Sequence, residues 1–342
     1  MTVDFIGDGF FPGMEYAIEE KECWEIVKQQ IDKKFPNDRN VLISLTWFGP
    51  QFNKFKGWET ILDYEVNKIN YDNIFFLATV DPPYINDEVK RQVKNKLQAL
   101  RVFELGNFDS LYQFNFFAPI IAKKFKTYSD DDLILTNVDY LFVNYNRKPK
   151  QHRVDFVKKL IDYNLIKLGT VTLGVDENNK LLLTIGEKDE DYLEYGNSKN
   201  HWGQFGVPHD MYSLHRMDIW KNTFLYINAA TEFNPVNDLF CQQDTFKPMI
   251  GLRPFVINGV QKTYRWLRCH GFKTFNHYWS HIDIEQGDVH ETLIELIQHL
   301  STIKKQELLN MYNDMLPDLL YNKERFFEFA KEQRYKMEHL FE

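Results

Sequence analysis

Apolar residues run along this chain in short blocks, separated by stretches in which they return every three or four positions. The blocks predict buried strands and the stretches amphipathic helices, which is the pattern of a layered α/β protein. In the first half, strands are predicted at Val3–Ile6, Val41–Phe48, Ile74–Val80 and Val102–Leu105, with a further one at Leu133–Thr136. Helices are predicted between them at Met14–Phe35, Trp58–Lys68 and Asp87–Leu100. A second alternation begins with "DYLFVNYN" at 139–146, then a helical "RVDFVKKLIDYNLI" and the strands "GTVTLG" and "LLLTIG". Residues 187–222 are polar and aromatic without a period, and predict a long loop or lid. The core pattern resumes with "TFLYINAATE", with "FCQQDTFKPMIGLRPFVING" at 240–259, with "FKTF", and with a helix from about Gly287 to Ile303.

This alternation predicts two Rossmann-like domains, 1–137 and 138–303, facing across a cleft where a ligand would bind. The remainder, 304–342, predicts a helical segment packing back across the domains and broken at Pro317.

Composition narrows the function. The 342 residues carry a formal charge of −8, so attraction to nucleic acid or to an anionic membrane would need a local patch. Cys23, Cys241 and Cys269 are far apart and form no CxxC pair, which argues against a disulfide framework or a zinc cluster. The start "MTVDFIGDGFF" has no basic stretch ahead of an apolar one, so a cytoplasmic protein is expected.

Four places could carry chemistry. "GDGFFPG" at 7–13 follows the first strand, and would hold Asp8 at its carboxyl end; a plain strand–helix turn fits the same residues. "NYNRKPKQHR" gathers Arg147, Lys150 and Arg153 between a strand and a helix, where a diphosphate would meet cationic side chains and helix N-terminal amides. "YINAATEFN" ends a strand in Glu232, a carboxylate able to accept ribose hydroxyls or to stabilise a cationic sugar; it could equally serve as a cap.

The fourth is the polar front of 240–259. Asp244 or Thr245 can cap its helix, and Pro248 is tolerated in a first turn. Lys247 does not fit a capping account, because a cation near a helix N-terminus opposes the dipole; a ligand phosphate there would resolve the conflict. "SDDD" at 129–132 precedes an apolar run and predicts a turn or cap, and no metal site is expected.

"NYNRKPKQHRVDFVKKL", "YINAATEF" and "DTFKPMIGLRPFVINGVQKTYRWLRCHGFKTF", in that order, resemble a glycosyltransferase family of phages and large DNA viruses. That family is related in pattern to fucosyltransferase-like enzymes of the GT-B fold. The resemblance covers roughly the C-terminal half. Thr245, Lys247, Pro248, Pro254, Phe255 and Gly271–Phe275 match its central motif, while Phe246 stands for Trp, Gln243 for Glu and Asp244 for Lys.

The resemblance implies sugar transfer from a nucleotide-sugar, UDP-linked by expectation, to an acceptor hydroxyl, with no further cofactor. The C-terminal domain would hold the nucleotide through Arg147, Lys150, Arg153, Thr245 and Lys247, with Glu232 near the donor sugar or ribose. The family's Glu binds the donor ribose, so Gln243 or Asp244 would take that role here. The N-terminal domain would supply the acceptor face and a general base, for which Asp8 and Asp81 of "TVDPPY" are the candidates.

For the acceptor, 5-hydroxymethylcytosine in double-stranded phage DNA is expected first, which would place the protein in a host cytoplasm. Lys90, Arg91, Lys94, Lys123 and Lys124 supply the basic patches, which could equally be solvated helix faces. A glycan or small-molecule acceptor, or a non-catalytic nucleotide-sugar-binding protein, are the alternatives.

Overall fold

The structure, a computed structural model, describes residues 3–6, 17–44, 71–77, 91, 95, 99–105, 113–146, 150–175, 181–185, 212–214, 216–230 and 243–342. Its strands are the short β-branched and aromatic blocks of the sequence, and several are buried along their whole length. Such strands form parallel sheets covered on both faces. The chain divides into two compact units, one comprising Met1–Lys123 with Phe329–Glu342, the other Lys124–Glu328.

In the first unit, β1 (Asp4–Ile6), α1 (Ala17–Lys34), β2 (Asn40–Ser44), β3 (Asn73–Leu77), β4 (Arg101–Leu105) and α2 (Phe117–Lys124) follow in order. The four strands are parallel and lie side by side in chain order. Val27 and Ile31 of α1 are buried, as are Ile74, Phe75 and Leu77 of β3. The last residues of the chain join this core: the Phe341 ring lies 5.6 Å from that of Phe35. At the amino ends of β2 and β3, the Asn73 carboxamide donates to Asn40 Oδ1 (2.7 Å) and Asp38 Oδ2 (2.9 Å).

The second unit contains α3 (Asp130–Leu133), β5 (Tyr140–Asn146), α4 (Gln151–Asp162), β6 (Gly169–Val175), β7 (Leu181–Ile185), α5 (Met217–Trp220) and β8 (Thr223–Ala229). These are followed by α6 (Gln243–Ile250), β9 (Phe255–Asn258), α7 (Lys262–Cys269), α8 (Val289–Ser301) and α9 (Lys305–Glu338), whose residues from Phe329 onward belong to the first unit. Its sheet has the order β7-β6-β5-β8-β9, with β7 antiparallel at one edge and the other neighbours parallel. From β5 the chain crosses through α4 to β6 on one side, then returns through β8 and α6 to β9 on the other. Right-handed crossovers in opposite directions put α4 and α6 on opposite faces. The strand order therefore reverses between β5 and β8, a Rossmann-like switch point.

Two expectations change. Leu133–Thr136 is not a strand: Ser129 caps α3 by accepting from the Asp132 amide at 3.2 Å, so Leu133 closes a helical turn. Pro317 does not break the last helix, which runs from Lys305 to Glu338. Pro317 and Asn313, whose carbonyl loses its partner, are both exposed, so water can satisfy that carbonyl. The buried residues Tyr312, Met315, Leu319 and Phe326 hold the helix through the roughly 3 kcal/mol that an interior proline costs. The residues of "FKTF" lead into a 3-10 turn at Asn276–Trp279. Trp58–Lys68 lies outside the described residues, as does most of 187–222.

The turn after α6 is built around a buried cation. Arg253 donates to the carbonyls of Leu133 (2.6 Å), Leu252 (2.8 Å) and Trp220 (2.8 Å), and its side chain is fully buried. Burial holds its guanidinium well below the ordinary value, at about 10. Beside it, Trp220 Nε1 donates to the Gly251 carbonyl at 2.9 Å. A Cβ on Gly251 would lie 2.7 Å from Trp220 Cε2, so only glycine fits. The left-handed residue that ends the helix is the next one, Leu252, at φ 51°. Among the described residues, no helix is long and apolar enough to cross a membrane.

Candidate functional site

In an open α/β sheet, ligands settle outside the carboxyl ends of the strands where the order reverses. In the second unit that place is flanked by the start of α4 and the start of α6. Lys150 precedes α4 in extended conformation and does not cap it by its side chain. Arg153 is buried, and its Nη2 donates to the carbonyls of Ala229 (2.7 Å) and Ala230 (3.1 Å). His152 Nε2 lies 3.0 Å from the Ala230 carbonyl, which can only accept, so that nitrogen carries the proton. Burial pushes the imidazole down to about 4, and it is neutral at physiological pH. Two side chains of α4 thus tie down the end of β8.

Helix α6 begins at Gln243, so Asp244 and Thr245 lie within its first turn and do not cap it, while Pro248 falls in the second turn. Thr245 is buried, and its hydroxyl accepts from Asn228 Nδ2 at 3.0 Å, linking the helix to β8. Lys247 is 1% exposed, and its ammonium lies 3.1 Å from Asp244 Oδ1. Helical side chains lean towards the N-terminus, so this cation reaches back over the first turn. The pairing with Asp244 supplies a reason for Lys247 that the sequence did not suggest. It also brings both charges to the helix start.

Buried carboxamides stand at the carboxyl ends of β5, β8 and β9. Asn144 Nδ2 donates to the Ile227 carbonyl at 2.9 Å. Asn146 Nδ2 donates to Asn144 Oδ1 (2.5 Å) and to the Thr172 carbonyl (3.0 Å). Asn228 ends β8 on the α6 side, and Asn258 is the last residue of β9. The sequence reading passed over all four, although "NYN", "YINA" and "VING" each put Asn at the end of an apolar block.

Of the expected site residues, Lys150, Arg153, Gln243, Asp244, Thr245 and Lys247 are described and belong to the starts of α4 and α6. Asp8, Asp81, Arg147 and Glu232 lie outside the described residues, as do Lys90 and Lys94. Arg91 is exposed and helical. Lys123 is ion-paired with Glu22, and the Lys124 ammonium lies 5.5 Å from the centre of the Tyr212 ring. Within "SDDD", Asp132 pairs with Lys221 at 2.9 Å and Asp130 with Lys323 at 2.5 Å. Among the described residues, no group of His, Cys, Asp and Glu could hold a metal ion.

The chain matches no protein-family model, no curated protein and no solved structure.

Proposed function

We propose that this protein is a glycosyltransferase that moves a sugar from a nucleotide-sugar to an acceptor hydroxyl. The observation that carries the reading is the meeting of two helix starts at a strand-order reversal. One start bears Lys150 and the buried Arg153, the other the Lys247–Asp244 pair. Oriented amides and cations at one crevice suit a diphosphate. Gln243 or Asp244 would take a ribose hydroxyl, and Arg147 and Glu232 would complete the donor site.

The two units would work as the halves of a GT-B enzyme, with Asp8 or Asp81 of the first as general base. That carboxylate would take the acceptor proton while the acceptor oxygen bonds to the anomeric carbon. The bond from that carbon to the diphosphate breaks, and its electron pair leaves with the nucleotide. Developing negative charge on the diphosphate would be met by the α6 amides and Lys247.

5-Hydroxymethylcytosine in duplex DNA is the acceptor that the sequence resemblance suggests. A glycan or small-molecule acceptor is favoured by a specific observation: Lys123, one cation of the expected basic patches, is already ion-paired with Glu22. The test incubates the protein with hydroxymethylated duplex DNA, with oligosaccharides and with a panel of UDP- and GDP-sugars, followed by mass analysis of nucleosides and glycans. A sugar-sized mass gain on either acceptor supports transfer and identifies the class. Neither transfer nor hydrolysis of any donor would refute the enzymatic reading.

A further inference from the structure

At the carboxyl end of β9, Asn258 is fully buried, and among the described residues neither atom of its carboxamide has a hydrogen-bond partner. At the end of β5, Asn146 is fully buried too, and its Oδ1 has no partner among the described residues. Its amide orientation is fixed, because Nδ2 faces the Thr172 carbonyl, so the unpartnered atom is an acceptor oxygen.

The register puts these groups in one row. Ala229 of β8 pairs with Asn258, and the β5–β8 pairing of Val143 with Tyr226, continued three residues, sets Asn146 opposite Ala229. Residues in register across parallel strands share a face. The Asn228–Thr245 bond fixes Asn228, the neighbour before Ala229, on the α6 side, so Ala229, Asn146 and Asn258 lie on the other face. There α4 packs against α8, and α8 packs on β5 and β9. Two carboxamides thus flank a methyl group, about 9.6 Å apart by strand spacing.

A buried polar atom without a partner is destabilising, because it has lost its water and gained nothing in return. Three such atoms in one row, beside the switch point, are an expense that a fold does not need; valine or leucine would pack there without it. The group that matches them is one that both donates and accepts. The diphosphate of a nucleotide-sugar, fully ionised at neutral pH, has no proton to give Asn146 Oδ1, and an apolar ligand satisfies none of the three. Hydroxyls satisfy all of them.

We propose that Asn146 and Asn258 form a hydroxyl-reading subsite that binds a sugar ring of the donor, over Ala229 and beside the start of α4. This rests on the nucleotide-sugar reading above. The ring is either the ribose or the transferred sugar, which share this chemistry.

The test measures binding of UDP-glucose, UDP, 2′,3′-dideoxy-UDP and inorganic pyrophosphate to the full chain and to Asn258→Ala, by calorimetry. Thermal denaturation of both proteins is recorded without ligand. The expected result is about tenfold weaker binding of the hydroxyl-bearing ligand by the variant, the worth of one buried hydrogen bond. Pyrophosphate affinity is unchanged, and the melting temperature is unchanged or higher, since an orphaned polar group is gone.

If the ribose is read, the native preference for UDP over its dideoxy analogue disappears in the variant. If the transferred sugar is read, the preference for UDP-glucose over UDP disappears instead. Equal UDP and UDP-glucose affinities in native protein and variant overturn the subsite while leaving the donor reading intact. A lower melting temperature with unchanged binding makes Asn258 a structural residue and overturns it also. Asn258→Asp, which keeps acceptors and volume, should retain more affinity than alanine; if it retains less, the hydroxyl assignment fails. No binding of any nucleotide to the native chain overturns the subsite and the donor reading together.

Discussion

Replacing Arg253 tests how the turn after α6 is held. Its guanidinium is the donor that the carbonyls of Leu133 and Trp220 face, whereas the Leu252 carbonyl also accepts from the Tyr312 hydroxyl at 3.0 Å. Alanine would orphan the first two at about 1–3 kcal/mol each, or roughly 2–6 kcal/mol together. It would also expose or empty the space of three methylenes, worth about 2 kcal/mol. Against this, a guanidinium held at about 10 is one whose charge the interior opposes by roughly 3 kcal/mol, and that cost vanishes with the charge. The sum puts Arg253→Ala near 3 kcal/mol of destabilisation. Arg253→Met, which keeps the stem's volume, should fall near 1 kcal/mol. Urea denaturation followed by tryptophan fluorescence measures both, with Trp220 and Trp279 buried in the same unit. An alanine variant within 0.5 kcal/mol of the native protein would refute the reasoning, because the carbonyls would then have no need of the arginine.

Three further outcomes are expected. Gly251→Ala drives a methyl into the Trp220 indole and should cost about 1–3 kcal/mol, read as a lower urea midpoint; Trp220→Leu in the same chain should recover part of it. His152 is lowered to about 4 by burial, so the unfolded chain binds more protons between that value and about 6.5; stability is complete above this window and falls as pH drops through it, by about 1–2 kcal/mol after solvent screening. Melting temperatures at pH 7.5 and 4.5 check it, and His152→Gln should flatten the difference; an unchanged slope contradicts the assignment. Lys247→Ala should weaken UDP-sugar binding at least tenfold while leaving the α6 fold intact by circular dichroism, and an unaltered dissociation constant would remove Lys247 from the donor site.

The layered α/β class could be read from the sequence because parallel strands buried on both faces are written as unbroken apolar blocks. "TFLYINA" is the plainest case, since every residue of β8 is buried. Local chemistry was harder to read. "DDDLILT" looks like a polar turn before a strand, yet Ser129 starts a helix that consumes Leu133. Pro317 reads as a break, because a sequence does not say that the freed carbonyl will face water. Lys247 stood out by its misfit with capping rules, and Lys150 and Arg153 by their crowding between a strand and a helix, whereas the four strand-end asparagines did not, since Asn is ordinary in loops. Their meaning depends on burial and on register across three strands, neither of which a linear pattern contains. The partner of Lys247 was legible only in part: Asp244 three residues earlier is a helical neighbour, but that its ammonium would be sealed from water is a property of the packing.

The indole of Trp220 against Gly251 has a hereditary consequence. Because the glycine makes room for the indole, and Leu252 accepts the left-handed turn in its place, these three positions form one inherited unit. A descendant with a small side chain at 220 would be free to gain a side chain at 251 and to shift the glycine to 252. A descendant that keeps tryptophan must keep the present order. Relatives of this chain should therefore sort into two lineages at these positions, with few intermediates, since each single step between them passes through a clash or a void.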